Sequence, residues 1–289
     1  MAAESWTHGY AQANGLRIHY VAQGQGYPLI LLHGWPQTWS CWRKVIGPLA
    51  RRFRVIAPDL RGFGDTDKPE AGYGIRTLAG DVAGLAAALG VERATLVGHD
   101  LGGGIAFRAA LDYPELVERL VIVNMGYPVA RAQQVPDQAR LLESWYVYFV
   151  LIPGLPERLV RHEVGAFLGY FLDRWTHRKD ARTPEEVAEL VRAFQQPGAL
   201  RGGFSHYRAR YSEDVAVWQA AAARTVPQPT LVLWGERDPV VPPQRSDGMH
   251  RYIPNIRFRF IPDAGHFPQE ETPEVVVREV EAFLADRAG

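Results

Sequence analysis

The sequence lacks the features that would place it in several specialised classes of protein. It has one cysteine, Cys41, in 289 residues, so no internal disulfide can form. No apolar run reaches the roughly 18 residues that a membrane-spanning helix needs. Residues 1–10 show no basic region followed by an apolar run, so no secretory signal is expected. These absences predict a cytoplasmic protein that does not span a membrane.

An excess of charge of either sign is also missing. Lys+Arg and Asp+Glu both total 32, which gives a formal net charge of zero. Neither a nucleic acid nor an anionic membrane is therefore expected as a partner. The 9 histidines are scattered, and no His/Cys cluster has the spacing of a zinc site, so no metal is expected. Cys41 lies in an apolar segment and is expected to be a small buried hydrophobe.

What the sequence does contain is an alternation of short apolar runs with helical patterns. Each run ends at Gly, Pro, Asp or Asn, as central parallel strands do. Between the runs lie helices such as 76–89, where leucine and valine recur at helical spacing. The pattern predicts a mostly parallel sheet with helices on both faces. Its predicted strands are 29–32, 55–57, 94–97, 120–123, 230–234 and 258–261.

This alternation is interrupted over residues 128–222, where strands are hard to find and aromatic residues are frequent. Thr183, followed by Pro184 and then Glu186, has the pattern of a helix start with a capping box. We interpret the stretch as a helical cap of 128–222, inserted into an α/β core made of 1–127 and 223–289. A cap over the carboxyl ends of parallel strands encloses the place where such folds bind ligands.

A motif that indicates chemistry is Gly98-His99-Asp100-Leu101-Gly102, between a predicted strand and a helix predicted from Gly103. Gly-x-nucleophile-x-Gly is the pattern of a sharp strand-to-helix turn that exposes its central side chain. Here that residue is Asp100. A carboxylate is ionised at pH 7, so it can attack saturated carbon without first losing a proton, and an ester results. The alternative is that Asp100 only caps the helix.

An acid and a base follow the later strands in the order expected of a catalytic triad. Asp238 comes directly after the strand 230–234, and His266 comes after the strand 258–261. Nucleophile, acid and base occur in this chain order in α/β-hydrolases. Asp238 would orient His266 and stabilise its positive charge. A lone histidine in such a loop would mean little, but the ordered combination predicts the triad Asp100, Asp238 and His266.

The loop His33-Gly34-Trp35-Pro36 follows the first predicted parallel strand. In this type of fold, that loop supplies one donor of an oxyanion hole, and the residue after the nucleophile supplies the other. The predicted donors are the backbone N–H groups of Trp35 and Leu101. Taken alone, the loop could equally be a plain connection.

These motifs together resemble the α/β-hydrolase-fold epoxide hydrolases and their haloalkane and haloacetate dehalogenase relatives. The resemblance covers nearly the whole chain. It implies the α/β-hydrolase fold, with the helical cap inserted after the sixth strand, and a reaction that needs no metal or organic cofactor. The matching segments are HGWPQTWSCWR at 33–43, DLRGFGDTDKP at 59–69, GHDLGG at 98–103, WGERDPVVP at 234–242 and AGHFPQEETPE at 264–274.

The resemblance also implies two cap tyrosines that hydrogen-bond the epoxide oxygen. A Gly-rich stretch ending in Tyr-Arg gives Tyr207 as one of them. The other lies in an aromatic stretch early in the cap, where Tyr146 matches better than Tyr148. Packing within the cap is the alternative role for these side chains. Tyr148, Trp35 and Phe267 are candidates for lining the substrate pocket.

The resemblance implies that the chain opens small apolar epoxides with water. The first alternative is a dehalogenase with the same nucleophile. Leu101 and Gly104 stand where fluoroacetate dehalogenases have an arginine pair, so haloacids are disfavoured. Two further alternatives are an ester or lactone hydrolase and a non-catalytic binding protein. A homodimer is compatible with the sequence, which does not fix the oligomeric state.

Overall fold

A computed structural model of the chain describes residues 6–131 and 143–285. Its centre is an eight-stranded sheet with the order β1-β2-β4-β3-β5-β6-β7-β8. β1 and β2 pair antiparallel, β2 also runs antiparallel to β4, and the strands from β3 to β8 are parallel to their neighbours. The strands are β1 Thr7–Ala13, β2 Leu16–Gln23, β3 Pro28–Leu32, β4 Arg54–Pro58, β5 Ala94–His99, β6 Val117–Val123, β7 Thr230–Gly235 and β8 Ile256–Ile261.

Successive residues of the central strands point into two different hydrophobic layers. Leu29 and Leu31 of β3 pack with α1 (Arg43–Leu49) and α11 (Pro273–Ala285). Ile30 and Leu32 of the same strand face the other layer, which includes α2 (Ile75–Ala88) and α3 (Leu101–Asp112). Because side chains alternate along a strand, an apolar run is buried on both sides. The six predicted strands and the helices on both faces are confirmed.

The strands β1 and β2 were not predicted from the sequence. They form a hairpin whose turn is Asn14-Gly15, with φ values of 50° and 76°. An Asn-Gly pair with positive φ at both positions is the usual two-residue hairpin turn, so the signal was present. The residues beside this turn alternate only weakly between apolar and polar, because β1 lies at the edge of the sheet and is largely exposed. The two strands therefore lacked a clear strand pattern in the sequence.

The chain between β6 and β7 consists of helices joined by turns and loops, with no strand in its described parts, 124–131 and 143–229. We call the helices from 145 to 220 the cap helices. α7 starts as predicted, because the Thr183 side chain accepts the Glu186 N–H and the Glu186 carboxylate accepts the Thr183 N–H. The division into core and cap at 127 and 222 stays a prediction. The cap helices are α4 Trp145–Leu151, α5 Leu155–Val160, α6 Val164–Trp175, α7 Pro184–Gln195, α8 Ala199–Arg210 and α9 Glu213–Ala220, and α10 Pro268–Glu271 follows in the core.

Cys41 is buried, as expected from the sequence, with 2% of its surface exposed in the 3₁₀ turn Trp39–Trp42. Burial raises the pKa of its thiol well above the usual value, so the group remains a neutral thiol. Across 6–131 and 143–285, no helix combines the length and apolar character needed to cross a bilayer.

Candidate active site

Asp100 occupies the sharp turn between β5 and α3. Its φ is 49°, a rare and strained value for a residue other than glycine. The turn is too crowded for side chains at its neighbours: a Cβ on Gly98 would lie 2.4 Å from the carbonyl oxygen of Gly102. α3 begins at Leu101, two residues before the predicted start, and the Asp100 side chain forms no capping hydrogen bond. Helix capping therefore does not explain this aspartate.

The loop after β3 brings a backbone donor to the Asp100 carboxylate. The N–H of Trp35 donates to Oδ1 of Asp100 over 3.2 Å. Gly34 allows this approach, because a Cβ there would lie 2.5 Å from the Cβ of Asp100. Leu101, the other predicted donor, is the first residue of α3, so its N–H has no partner within the helix. The arrangement leaves Oδ2 as the Asp100 oxygen that lies nearer to His266.

His266 and Asp238 form a buried hydrogen-bonded pair beside this carboxylate. Nδ1 of His266 lies 2.9 Å from Oδ2 of Asp238, and both side chains are fully buried. A carboxylate only accepts, so Nδ1 carries the proton and Nε2 of the neutral ring is left as an acceptor. Nε2 lies 3.9 Å from Oδ2 of Asp100, beyond direct hydrogen-bonding distance. The three residues predicted as a triad are therefore brought together in one place.

The Asp238 carboxylate is held by a residue that the sequence did not single out. Asn124 follows β6 with a φ of 50°, and its Nδ2 donates to Oδ2 of Asp238 over 2.7 Å. Oδ1 of Asp238 accepts the N–H groups of Val240 and Val241 at 2.7 and 3.0 Å. Asp238 therefore accepts four hydrogen bonds, which fix its orientation. The sequence signal that could have identified Asn124 is its position as a polar residue directly after the buried strand β6. That strand pairs with β7, which Asp238 follows.

Glu271 holds the loop that carries the base, and it too was missed. Its buried carboxylate accepts the N–H groups of Gly265 and Phe267, both at 3.0 Å. It also accepts the N–H groups of His177 and Arg178 at 2.8 and 2.9 Å, just beyond α6. One carboxylate thus joins both flanks of His266 to the cap helices.

His99 supports the base from the other side. Burial, with the adjacent His266 as the next cause, lowers the pKa of His99 well below its usual value, so the ring is neutral. Its Nε2–H donates to the carbonyl of His266 over 2.7 Å. Together, His99 and Glu271 fix the backbone that carries His266.

The pKa of His266 is raised above its usual 6.5. Burial alone would lower it, but the charge and hydrogen bond of Asp238, and then the charge of Asp100, outweigh that effect. A general base must be neutral, so His266 is competent above this raised pKa and loses its function as pH falls through it.

We expect Asp238→Asn to move the acid limb of the pH–rate profile to lower pH, because the main charge that raises the pKa of His266 is removed. The rate at neutral pH should also fall by about 10³–10⁴-fold, since asparagine can hold the wrong imidazole tautomer. Stopped-flow turnover from pH 5 to 9 measures both effects. The matched control is Asp263→Asn, at an exposed position in the loop after β8 that also carries His266. An acid limb at the same pH in both variants would contradict this account.

A cavity of about 210 Å³ lies over Asp100 and under the cap helices. Tyr146 of α4 and Tyr207 of α8 both line it and are 7% and 6% exposed. Their rings meet edge to face with centroids 5.8 Å apart. Burial, followed by the nearby Tyr146 and Asp100, raises the pKa of Tyr207 well above 10, so its hydroxyl keeps its proton. The cavity thus combines a carboxylate with two phenols.

Three predicted pocket residues are not among those that line this cavity, and their role in a substrate pocket stays a prediction. Tyr148 is 51% exposed, because two residues along a helix turn the side chain about 200° away from that of Tyr146. The ring of Phe267 is buried under the Arg182 guanidinium, 4.3 Å from it. The Trp35 ring is fully buried behind the two cavity tyrosines, stacked on Tyr146 and edge to face with Tyr207, both at 5.8 Å.

The fold and the site define a class of protein. Residues 27–273 match the family model described as the alpha/beta hydrolase fold, and the chain belongs to that family. It is therefore a hydrolase of the α/β family.

Individual relatives of the chain include epoxide hydrolases and a dehalogenase. The chain is 36% identical over 283 residues to the soluble epoxide hydrolase of Corynebacterium sp. (strain C12), covering 96% of this chain and 97% of that one. It is 32% identical to a fluoroacetate dehalogenase of Burkholderia sp., with 93% and 90% covered. The solved structure of the ligand-free epoxide hydrolase CorEH superposes with a TM-score of 0.89 at 35% identity, covering 97% of this chain and 99% of that one.

Proposed function

We propose that the protein hydrolyses epoxides to vicinal diols through a covalent ester on Asp100. The observation that carries the proposal is that Tyr146 and Tyr207 line the same cavity as Asp100. A phenol that keeps its proton can donate to the oxygen of an opening epoxide ring. The similarity to epoxide hydrolases over nearly the whole chain supports the same reaction.

In the first step, Oδ2 of Asp100 attacks one epoxide carbon, and the carbon–oxygen bond of the ring breaks. Oδ1 already accepts the Trp35 N–H, so Oδ2 is the oxygen better placed to attack. Tyr146 and Tyr207 hydrogen-bond the departing oxygen as it gains negative charge, and the resulting alkoxide takes up a proton from solvent. The product of this step is a hydroxyalkyl ester of Asp100.

In the second step, Nε2 of His266 removes a proton from a water molecule, and the hydroxide attacks the carbonyl carbon of Asp100. Oδ1 becomes the oxyanion and is stabilised by the N–H groups of Trp35 and Leu101. The diol leaves with Oδ2, and the water oxygen remains in the Asp100 carboxylate. The imidazolium returns its proton to the leaving oxygen, and the new carboxylic acid of Asp100 releases a proton to solvent. This proton offsets the one taken up in the first step, so the balance is one epoxide and one water for one diol.

The dehalogenase alternative lacks residues that haloacid chemistry would need. Leu101 and Gly104 carry no charge, so no guanidinium lies beside the nucleophile at those two positions to bind a substrate carboxylate. A departing halide also gains little from two phenols placed for a ring oxygen. The site therefore favours epoxide opening over haloacid displacement.

We expect Tyr207→Phe and Tyr146→Phe each to slow epoxide opening by about 10²-fold, since each removes one donor to the developing alkoxide. The double variant should be slower than either single variant. Diol formation and halide release are measured on a panel of matched epoxides and haloalkanes. Tyr148→Phe removes an exposed hydroxyl of the same helix and serves as the control. Full epoxide opening by the double variant, or halide release exceeding diol formation in the wild type, would refute the proposal.

A further inference from the structure

The mouth of the cavity carries two arginines that neither the triad nor the two tyrosines require. Arg174 lies in the last turn of α6, and Arg210 is the last residue of α8. Both line the cavity that contains Asp100, and neither forms an ion pair with a carboxylate in the described part of the chain. Many other arginines of this protein do, for example Arg61 with Asp81 at 2.7 Å and Arg208 with Glu157 at 2.6 Å.

We propose that Arg174 and Arg210 bind a carboxylate at the far end of the substrate, so that the preferred substrates are short epoxy acids. This inference rests on the proposed epoxide hydrolysis and adds a substrate class to it. Arginine suits such a group because its planar fork of N–H donors matches a carboxylate.

The spacing of the two helices sets where the carboxylate would lie. Arg210 follows Tyr207 by three residues on α8, so the two side chains are neighbours about 5–6 Å apart on one face of the helix. Arg174 precedes Trp175, whose ring contacts His266 with centroids 5.4 Å apart. Arg210 and Tyr207 therefore present an acid-binding group and a hydrogen-bond donor to the epoxide oxygen from one face of the same helix.

The size and lining of the cavity limit the part of the substrate that joins the epoxide to the carboxylate. The cavity volume of about 210 Å³ is below the roughly 300 Å³ where pockets for drug-sized ligands begin, so a long acyl chain would not be enclosed. Aromatic side chains surround the space, including Tyr170, Phe171 and Trp175. A compact apolar or aryl spacer between epoxide and acid fits these walls.

The charges around the cavity favour an anion with a single charge. Among the described residues that line it, Asp100 and Glu143 are negative and the two arginines are positive. Asp214 lies near Arg210, but its buried carboxylate accepts the N–H of Ile75 over 2.7 Å and is not part of the described lining. The two acidic groups oppose a doubly charged phosphate monoester more than a singly charged carboxylate.

The test compares an aryl epoxy acid with its methyl ester, which has the same epoxide and spacer but no charge. We expect the wild type to prefer the acid, and Arg174→Ala and Arg210→Ala each to lower the acid-to-ester ratio of kcat/KM by about tenfold, mainly through the KM of the acid. Arg192→Ala, at an exposed position on α7 outside the cavity, removes the same charge and should keep the wild-type ratio. Equal use of acid and ester by the wild type, or a ratio that neither substitution lowers, would overturn the inference.

A binding measurement separates this inference from the reaction. The cyclopropane analogue of the epoxy acid keeps the shape and charge but cannot be opened by Asp100, and its binding is measured by isothermal titration calorimetry. Binding to the wild type that weakens about tenfold in both arginine variants supports the carboxylate site, even if no epoxide were hydrolysed and the proposed function failed. Diol formation from neutral epoxides without any binding of the acid would overturn the carboxylate site alone.

Discussion

We expect Asp100→Asn to lower diol formation by at least about 10⁴-fold, because the asparagine amide cannot serve as the attacking nucleophile. The substitution is nearly isosteric, so Oδ1 can still accept the Trp35 N–H that Asp100 accepts at 3.2 Å. The turn at φ 49° is also compatible with asparagine, which tolerates positive φ better than most residues. Loss of activity with an unchanged melting temperature therefore measures the chemistry and not the fold.

The same residue is tested more directly by single turnover in heavy-oxygen water with the wild-type enzyme in excess over a model epoxide. The water oxygen should remain in the peptide that contains Asp100, and the first diol should be unlabelled. Asp100→Asn should show no label unless the amide slowly deamidates, which puts a heavy water oxygen into residue 100 and restores the aspartate and its activity. Label that goes straight into the first diol would mean that water attacks the epoxide directly.

The sequence predicted the features that depend on local pattern. Each central strand is a short apolar run that can be recognised in the sequence. Asp100, Asp238 and His266 each follow the end of such a run, which predicts that they lie at one edge of the sheet. Such positions follow from topology alone, because the carboxyl ends of parallel strands converge. The turn at Asp100 was also predictable, because its neighbouring glycines are a visible sequence signal. They are required there since β5 and α3 pack too closely for larger side chains.

The features that depend on packing between distant segments could not be predicted. Tyr146 and Tyr148 differ by two residues, and only the packing of α4 on Trp35 determines which one faces the cavity. Asn124 and Glu271 are unremarkable in sequence, yet the structure gives them hydrogen bonds to residues 114 and 94 positions away. Arg174 and Arg210 line one cavity because each lies at the end of a different cap helix, α6 or α8.

We expect His266→Gln to stop the reaction at the covalent ester, and this is the second large effect. Glutamine cannot take a proton from water, so the hydrolytic step should slow by about 10⁴-fold, while attack by Asp100 needs no base and continues. The surroundings of residue 266 should persist, since Asp238 keeps its hydrogen bonds from Asn124, Val240 and Val241. Intact-mass spectrometry should show one substrate mass added per chain, located on the peptide with Asp100.

The matched control for this experiment is His250→Gln, which replaces an exposed histidine and should turn over without a trapped ester. The two half-reactions also predict opposite behaviour of the aspartate and histidine variants. His266→Gln consumes one epoxide per active site and then stops, whereas Asp100→Asn consumes none, although both form almost no diol. A His266→Gln enzyme that carries no adduct after exposure to an epoxide that the wild type hydrolyses would exclude an ester intermediate. In that case, His266 would have to act on the water that opens the ring itself, and Asp100 would only hold that water or the substrate in place.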